Sequence, residues 1–155
     1  MIKVFISHKN TDTYIANRVA ERVRYNGLEV YLDSIDRALV KDGPDLADYL
    51  LQRLGECNQL IAVISQETAK SWWVPWEIGV GSEKGFRLAS YSSTDDYIPD
   101  YLKKWPVLHS NKDIDLYCEY SKRADVAMST ERFVTASKTM ESASKFHKEL
   151  KRALR

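Results

Sequence analysis

The sequence predicts an α/β fold in which a doubly wound parallel sheet of about five strands is followed by extra C-terminal helices. Short apolar runs rich in β-branched residues alternate with amphipathic helical stretches three times in residues 1–84. One of these runs, Leu60–Ile64, is apolar at every position, which is typical of a strand that helices cover on both faces. At 155 residues the chain has the size of one domain, so we expect residues 1–155 to form a single one.

The first two strands and the helix between them have clear boundaries. Ile2–Ile6 is predicted as the first strand, and a helical pattern follows it directly. Thr11 or Asp12 could cap this helix, and Gly27 closes it. Leu28–Leu32 is predicted as the second strand. The apolar stripe of the helix comprises Ile15, Ala16, Val19, Ala20 and Val23.

A long polar segment, Asp33–Gly43, separates the second strand from the next helix. Loops between a strand and a helix ordinarily take about 2 to 6 residues, and longer loops tend to be functional. This segment is therefore interpreted either as a lid or contact surface, or as exposed decoration. Pro44 suits the first turn of the helix, whose inner face comprises Leu46, Ala47, Leu50, Leu51 and Leu54.

The second half of the chain supplies the remaining elements. Leu60–Ile64 is predicted as the central strand, and the helix after it begins near Pro75 and runs to about Lys84. Phe86–Tyr91 is the next strand, and Trp105–Leu108 is predicted as an edge strand because proline is tolerated there. Helices are expected at about residues 113–134 and 138–154, the second with an apolar face of Met140, Ala143, Phe146, Leu150 and Leu154.

Charge and composition exclude several classes of function. With 23 basic and 22 acidic side chains the formal charge is +1, so no broad field attracts nucleic acid or anionic lipid. No stretch approaches the ~18 apolar residues of a membrane span, and no signal peptide is visible, so we expect a cytoplasmic protein. Cys57 and Cys118 lack metal-ligand spacing and are expected to be buried or unreactive thiols.

In a doubly wound sheet, ligands bind beyond the carboxyl ends of the strands. Ser7, His8, Asp33, Ser65 and Gln66 all follow predicted strands and are expected at that rim. These polar side chains are therefore candidates for binding a ligand.

The densest chemical signal lies in residues 71–79, where Trp72, Trp73 and Trp76 surround Glu77 at the predicted start of a helix. Each indole could be core filler, but three of them beside an acid favour a pocket in which a flat ring stacks. A glutamate in a first helical turn is stabilised by the helix dipole, which alone would explain Glu77. The same dipole keeps the carboxylate ionised, which suits stabilisation of a developing positive charge.

Two motifs carry a resemblance to a known family. The run Lys3–His8 with the following Thr11-Asp12, and the segment Trp73–Glu77, resemble the Toll/interleukin-1 receptor (TIR) domain family in its bacterial style. The resemblance covers roughly residues 1–110 and implies a flavodoxin-like fold. Residues 111–155 match no motif and are expected to be a helical C-terminal portion of the same domain.

The resemblance implies an activity. Family members of this kind consume NAD⁺ with the glutamate of a Trp-x-x-x-Glu pattern, which corresponds here to Trp73 and Glu77. It implies cleavage of the nicotinamide N-glycosidic bond to ADP-ribose, or to a cyclic or modified ADP-ribose signal, in bacterial antiphage defence of the Thoeris type. NAD⁺ would be a substrate, and neither a cofactor nor a metal is expected. Nicotinamide leaves as a neutral molecule, so one carboxylate that stabilises the ribosyl cation can suffice.

The resemblance also assigns roles around Glu77. Ser7, His8 and Lys9 end the first strand where the family's site contacts ligand, and Lys9 could offset pyrophosphate charge. Trp73 would stack on a ring of the dinucleotide, and Asp33 and Trp76 complete the set of expected substrate-binding residues. His8 could equally be structural, since the mechanism does not require it.

Partners follow from the same resemblance. The segment Asp33–Gly43 corresponds to the family loop that reaches over the site of a neighbouring copy, so other copies of the chain and a separately encoded effector are expected partners. The order Lys41-Asp42-Gly43-Pro44 departs from the adaptor-type pattern of a basic residue with Pro-Gly, which argues against receptor-style contacts. Two alternatives stay open: a non-catalytic TIR interaction module, and an enzyme similar to nucleoside 2-deoxyribosyltransferases.

Overall fold

The structure, a computed structural model, describes residues 3–32 and 43–155 and contains a five-stranded sheet. The strand order is β2-β1-β3-β4-β5, and every neighbouring pair is parallel. The predicted α/β class is confirmed, and the strand predicted to be central lies in the middle of the sheet. The strands are β1 (Lys3–Ser7), β2 (Glu29–Leu32), β3 (Gln59–Val63), β4 (Arg87–Tyr91) and β5 (Val107–Leu108).

Helices connect and cover these strands. The α-helices are α1 (Thr13–Tyr25), α2 (Gly43–Gly55), α3 (Trp73–Glu83), α4 (Asn111–Ser129) and α5 (Ala136–Ala153). Short 3-10 helices lie at Asn10–Asp12, Gln66–Lys70, Asp95–Tyr97 and Asp100–Lys104. Within the described part of the chain, no helix has both the length and the apolar composition that crossing a lipid bilayer requires.

Each face of the sheet has its own hydrophobic core. The first core lies under α1, α4 and α5, where Val19, Tyr117 and Phe146 are buried. The second core lies under α2 and α3, where Leu50 and Ile78 are buried. Apolar strands buried on both faces are what the continuous hydrophobic run of β3 predicts, since a parallel sheet is covered by helices on both sides.

The start of α3 differs from the prediction. The helix begins at Trp73, two residues before Pro75, and the Val74 amide donates to Ser71 Oγ at 3.2 Å just ahead of it. The first turn of any helix has amides without intrahelical acceptors, so a proline is tolerated throughout that turn and not only at its first position. Glu77 therefore lies beyond the first turn.

Smaller predictions were wrong at element ends and faces. Leu51, expected on the inner face of α2, is exposed, as is Met140 of α5. The helix expected to reach residue 134 ends at Ser129. Neither Thr11 nor Asp12 caps α1 with its side chain. The loop prediction for Asp33–Gly43 falls almost wholly on residues 33–42, outside the described part of the chain.

Candidate functional site

The site is built where β1 ends beneath α3. Glu77 projects from α3 and is only 2% exposed. Ser7, the last residue of β1, donates a hydrogen bond from its hydroxyl to Glu77 Oε1 at 2.9 Å. A hydrogen bond to a carboxylate is stronger than one between neutral groups and fixes its orientation. The structure thus brings together the predicted catalytic residue and one of the predicted binding residues.

The explanation of Glu77 by the helix dipole was wrong in its geometry. The stabilising field of a helix terminus falls off within the first turn, and no acidic residue lies in the first turn of α3. A buried carboxylate needs hydrogen-bond partners, and the Ser7 hydroxyl is one of them. Residue chemistry at the carboxyl edge of the sheet, and not helix position, accounts for Glu77.

The three indoles have different environments. Trp73 and Trp76 are half-buried, and their rings meet edge to face with centroids 5.4 Å apart and an interplanar angle of 88°. Both pack against the second core. Trp72 is 89% exposed and belongs to no core. Trp73 precedes Glu77 by four positions and so shares its face of α3, whereas Trp76 does not.

His8 and Lys9, which follow β1, are partly committed to contacts within the protein. His8 is buried, and its Nδ1 lies 3.4 Å from the carbonyl oxygen of Ile6. This placement favours the structural role over that of a solvated rim histidine. Lys9 Nζ lies 3.7 Å from Glu67 Oε2, so its charge already has a counterion. Asp33, the remaining predicted binding residue, lies outside the described residues.

A polar brace beside the site was not predicted in this form. Asp12, considered only as a helix cap, accepts a hydrogen bond from Ser65 Oγ at 2.7 Å. Ser65 also caps the 3-10 helix at Gln66–Lys70, because its hydroxyl accepts from the Glu67 amide and its own amide donates to Thr68 Oγ1. The Ser-x-x-Thr spacing was a sequence signal for the cap, but nothing in the sequence pointed to Asp12 as its partner.

Other nucleophile and metal chemistry finds little support. Burial raises the pKa of the Cys57 thiol to about 11 and that of the Cys118 thiol to about 12, so neither forms a thiolate readily. Among residues 3–32 and 43–155, no group of three or more His, Cys, Asp or Glu side chains could hold a metal ion.

The largest cavity that the described residues line is separate from Glu77. It has a volume of about 410 Å³ and lies between α3, the 3-10 helix at Gln66–Lys70 and the segment that joins β4 to β5. Val74, Pro75 and Ile78 form its α3 wall, and Ile98 and Leu102 form part of the opposite wall. Glu77 does not line this cavity.

Comparisons with known proteins agree with the fold and the motifs. The chain matches the family model described as TIR domain over residues 4–127. It is 30% identical over 81 residues to the probable 3' cyclic ADP-D-ribose synthase ThsB' of Bacillus cereus (strain MSX-D12), a stretch that is 49% of this chain and 41% of that protein. The match thus spans less than half the length of that relative.

Two solved structures are similar at low identity. The TIR domains of the activated Roq1 resistosome are 16% identical, with a TM-score of 0.47 over 96% of this chain and 84% of that one. The diflavin flavoprotein A3 from Nostoc sp. is 11% identical, with a TM-score of 0.43 over 99% of this chain and 97% of that one. Since the family model covers residues 4–127, well over half of the chain, the protein belongs to the TIR domain family.

Proposed function

We propose that this TIR domain cleaves the nicotinamide N-glycosidic bond of NAD⁺ and forms ADP-ribose, or a cyclic or modified ADP-ribose that acts as a signal. The observation that carries the proposal is the buried Glu77 carboxylate, oriented by Ser7 where β1 ends. Family membership and the cyclic ADP-ribose synthase name of the Bacillus cereus relative support it. We place the reaction in the bacterial cytoplasm, in antiphage defence.

The chemistry needs stabilisation of positive charge more than it needs an acid. The nicotinamide ring of NAD⁺ is cationic and departs neutral, so no proton has to be supplied to the leaving group. Positive charge then builds on the ribose in an oxocarbenium-like transition state. A carboxylate fixed in advance lowers the energy of that state without reorganising during the reaction. In this proposal Glu77 is the catalytic residue and Ser7 is a positioning residue.

Neighbouring side chains have proposed roles in binding. Trp73, one turn before Glu77 on the same face of α3, stacks on a ring of the dinucleotide, and Trp76 supports Trp73 by its edge-to-face contact. Lys9 reaches the pyrophosphate by exchanging its Glu67 partner for a phosphate oxygen, which is favourable because the phosphate carries more charge. His8 forms part of the wall, and Asp33 is proposed as a further binding residue.

Access to Glu77 is a proposed point of control. At 2% exposure the carboxylate cannot meet a ribose unless the groups covering it move. If another copy of the chain stabilises the open arrangement, activity scales with the population of that arrangement and isolated monomers are poorly active. Specific activity should therefore rise with protein concentration. A separately encoded effector would sense the product, and no cofactor is required.

The direct test is chromatography of NAD⁺ incubated with concentrated protein, with nicotinamide and its partner product measured together. We expect Glu77→Gln and Glu77→Ala to lower nicotinamide release by on the order of 10² to 10³, as removal of a principal electrostatic group does in other enzymes. Glu83→Gln is the matched control, since Glu83 is an exposed glutamate on the same helix. Full activity in the Glu77→Gln protein with its fold intact would exclude this assignment.

A non-catalytic TIR interaction module is the second candidate, and the exposure of Trp72 favours it. An indole that is 89% exposed is a common anchor of protein interfaces. A pure module would release no nicotinamide at any protein concentration, and Trp72→Ala would weaken its self-association or partner binding. A deoxyribosyltransferase-like enzyme would instead exchange bases between deoxynucleosides and leave NAD⁺ intact, which the same chromatography detects.

A further inference from the structure

Arg87 is a buried cation far from Glu77. It is the first residue of β4, at the amino edge of the sheet, and only 8% of it is exposed. Its Nη1 donates to the backbone oxygen of Ser121 at 3.0 Å and to Ser121 Oγ at 3.2 Å. These two bonds tie β4 to α4 and use one of the three guanidinium nitrogens.

The other edge of this guanidinium has no bidentate acceptor. Among the described residues, Nε and Nη2 of Arg87 make no hydrogen bond, and the nearest carboxylate oxygen, Asp125 Oδ1, lies 3.9 Å from Nη2. The same chain shows what this edge ordinarily does. Arg22 uses its Nε and Nη2 to hold both oxygens of Asp115, at 2.7 and 2.5 Å. Arg87 thus presents the carboxylate-binding edge of an arginine without a bound carboxylate.

This edge belongs to a cavity. Arg87 and Asp125 line a space of about 240 Å³ together with Asn58, Thr139 and Ser142, which carry further hydrogen-bond donors. Met128 and Val134 add apolar wall. The cavity is closed from one side by the ends of α4 and α5, and it lies at the opposite edge of the sheet from Glu77.

A second polar group beside Arg87 is also unsatisfied. Gln59 of β3 is the register partner of Arg87 and is fully buried. Its Oε1 accepts from the Tyr117 hydroxyl at 2.6 Å, but among the described residues its Nε2 has no hydrogen-bond partner. Two neighbouring donor groups with open valences in one buried region have a cost that an acceptor would remove.

We propose that this cavity is a binding site for a small anion, a carboxylate or phosphate group whose two oxygens bridge Nε and Nη2 of Arg87. The donors of Asn58, Thr139 and Ser142 lie around the same space, and the apolar wall of Met128 and Val134 accepts a short hydrocarbon part. A buried cation whose only nearby counterion is distant gains both charge compensation and directed hydrogen bonds from such a ligand.

Burial acts on Arg87 in the expected direction. Desolvation lowers the pKa of its guanidinium, while the charge of Asp125 opposes that effect only in part. An anion in the cavity would reverse the imbalance and hold α4, α5 and the start of β4 together. The ligand would therefore stabilise the folded chain as well as bind to it.

The test uses the full chain and two probes, inorganic phosphate and butyrate, titrated against chloride at matched ionic strength. Amide signals of Thr139 and Ser142 and the methyl signal of Met128 report binding in NMR spectra. We expect a saturable shift of these signals with phosphate, butyrate or both, and the probe that saturates first identifies the anion class. Shifts that follow ionic strength alone, and are equal with chloride, overturn the proposal.

A matched pair of variants tests the role of the Arg87 edge without removing its bonds to Ser121. Ser142→Asp places a carboxylate in the cavity, as Asp115 does for Arg22, and should weaken binding of either probe at least about tenfold. Ser142→Asn has a similar size and no charge and should change binding little. Asp125→Asn removes the competing carboxylate and should strengthen it. Equal binding in the Ser142→Asp and Ser142→Asn proteins contradicts the proposal, and neither measurement depends on turnover of NAD⁺.

Discussion

At the scale of single residues, function rests on polar groups that the fold buries. Ser7 and Glu77 are 70 positions apart in the chain, yet their side chains share a hydrogen bond in the interior. Such a contact is costly to leave unmade, because an unpaired carboxylate in a buried place loses hydration without compensation. The pair therefore serves both folding and the proposed chemistry, and variants have to separate the two roles.

The Ser7 hydroxyl gives a prediction that separates them. Ser7→Ala should lower kcat for nicotinamide release by roughly tenfold with little change in KM, because one charge-assisted hydrogen bond that orients Glu77 is lost. Ser7→Thr keeps the hydroxyl in a β-branched side chain suited to a strand and should restore most of the rate. A rise in KM without a fall in kcat would instead place Ser7 in ground-state binding of the substrate.

At the scale of elements, the end of α3 depends on a glycine. Gly85 has φ +73°, and the Phe86 amide donates to the Gly81 carbonyl at 2.9 Å, which is the pattern of a helix closed by a left-handed residue. A Cβ at position 85 would also meet Met140 Sδ at 2.7 Å. This joint connects α3, which carries Glu77, to β4, which carries Arg87.

Two alanine substitutions on either side of this joint should have opposite signs. Gly85→Ala should lower the free energy of unfolding by about 1 to 2 kcal/mol, since alanine is strained at a positive φ. Gly79→Ala, inside α3 with open space around its added Cβ, should raise it by up to about 1 kcal/mol. Urea denaturation of both proteins measures the difference, and effects of the same sign would contradict the structural explanation.

The edge of β4 is completed by a histidine of α5. Because β5 pairs with β4 only at its last two residues, the Leu88 amide has no strand partner on that side and donates to His147 Nε2 at 2.8 Å. Burial, followed by the charges of Lys104, Arg87 and Lys151, lowers the pKa of His147 from 6.5 to about 4. The imidazole is therefore held neutral, with Nε2 as the acceptor.

This contact predicts a loss of stability in mild acid. The unfolded chain takes up the proton of His147 near pH 6.5 and the folded chain only near pH 4, so stability falls as the pH is lowered between these values and does not fall further below them on this account. The loss should be at most about 3 kcal/mol. His147→Gln keeps an acceptor that does not titrate and should remove this part of the pH dependence in urea denaturation at a series of pH values. An unchanged pH profile in that variant would contradict the assignment.

At the scale of the whole molecule, α5 completes the first core. Phe146 and Leu150 are buried in that core beside Tyr117, although the TIR family match ends at residue 127. The tip between α4 and α5 also closes the cavity of Arg87. We predicted that residues 111–155 belong to the same domain as residues 1–110, and the stability of a shortened chain tests this prediction.

Removal of residues 136–155 should lower the free energy of unfolding by at least about 3 kcal/mol, because loss of one buried phenylalanine alone has a cost of that size. The Leu88 amide also loses its acceptor in that chain. A chain that lacks only Arg155, which is exposed, is the control and should unfold as the full chain does. If the chain of residues 1–135 unfolds cooperatively at the same urea concentration as the full chain, residues 136–155 are not part of the domain.

Much of the architecture could be predicted from the sequence because its signals are local. The apolar runs of β1 and β3 and the stripe of α1 repeat at the periods of a strand and a helix, which are set by backbone geometry within a few residues. The Trp-x-x-x-Glu spacing likewise places Trp73 and Glu77 on one face of any helix that contains them. These features determine the fold class and single out the acid.

Only the tertiary structure decided which groups meet. It gave Glu77 the Ser7 hydroxyl, committed Lys9 to Glu67, and left one edge of Arg87 open in a cavity. It also moved the start of α3 ahead of Pro75, which removed Glu77 from the helix terminus. Contacts between residues far apart in the chain depend on how strands and helices pack against each other, and no local pattern of residues encodes that packing.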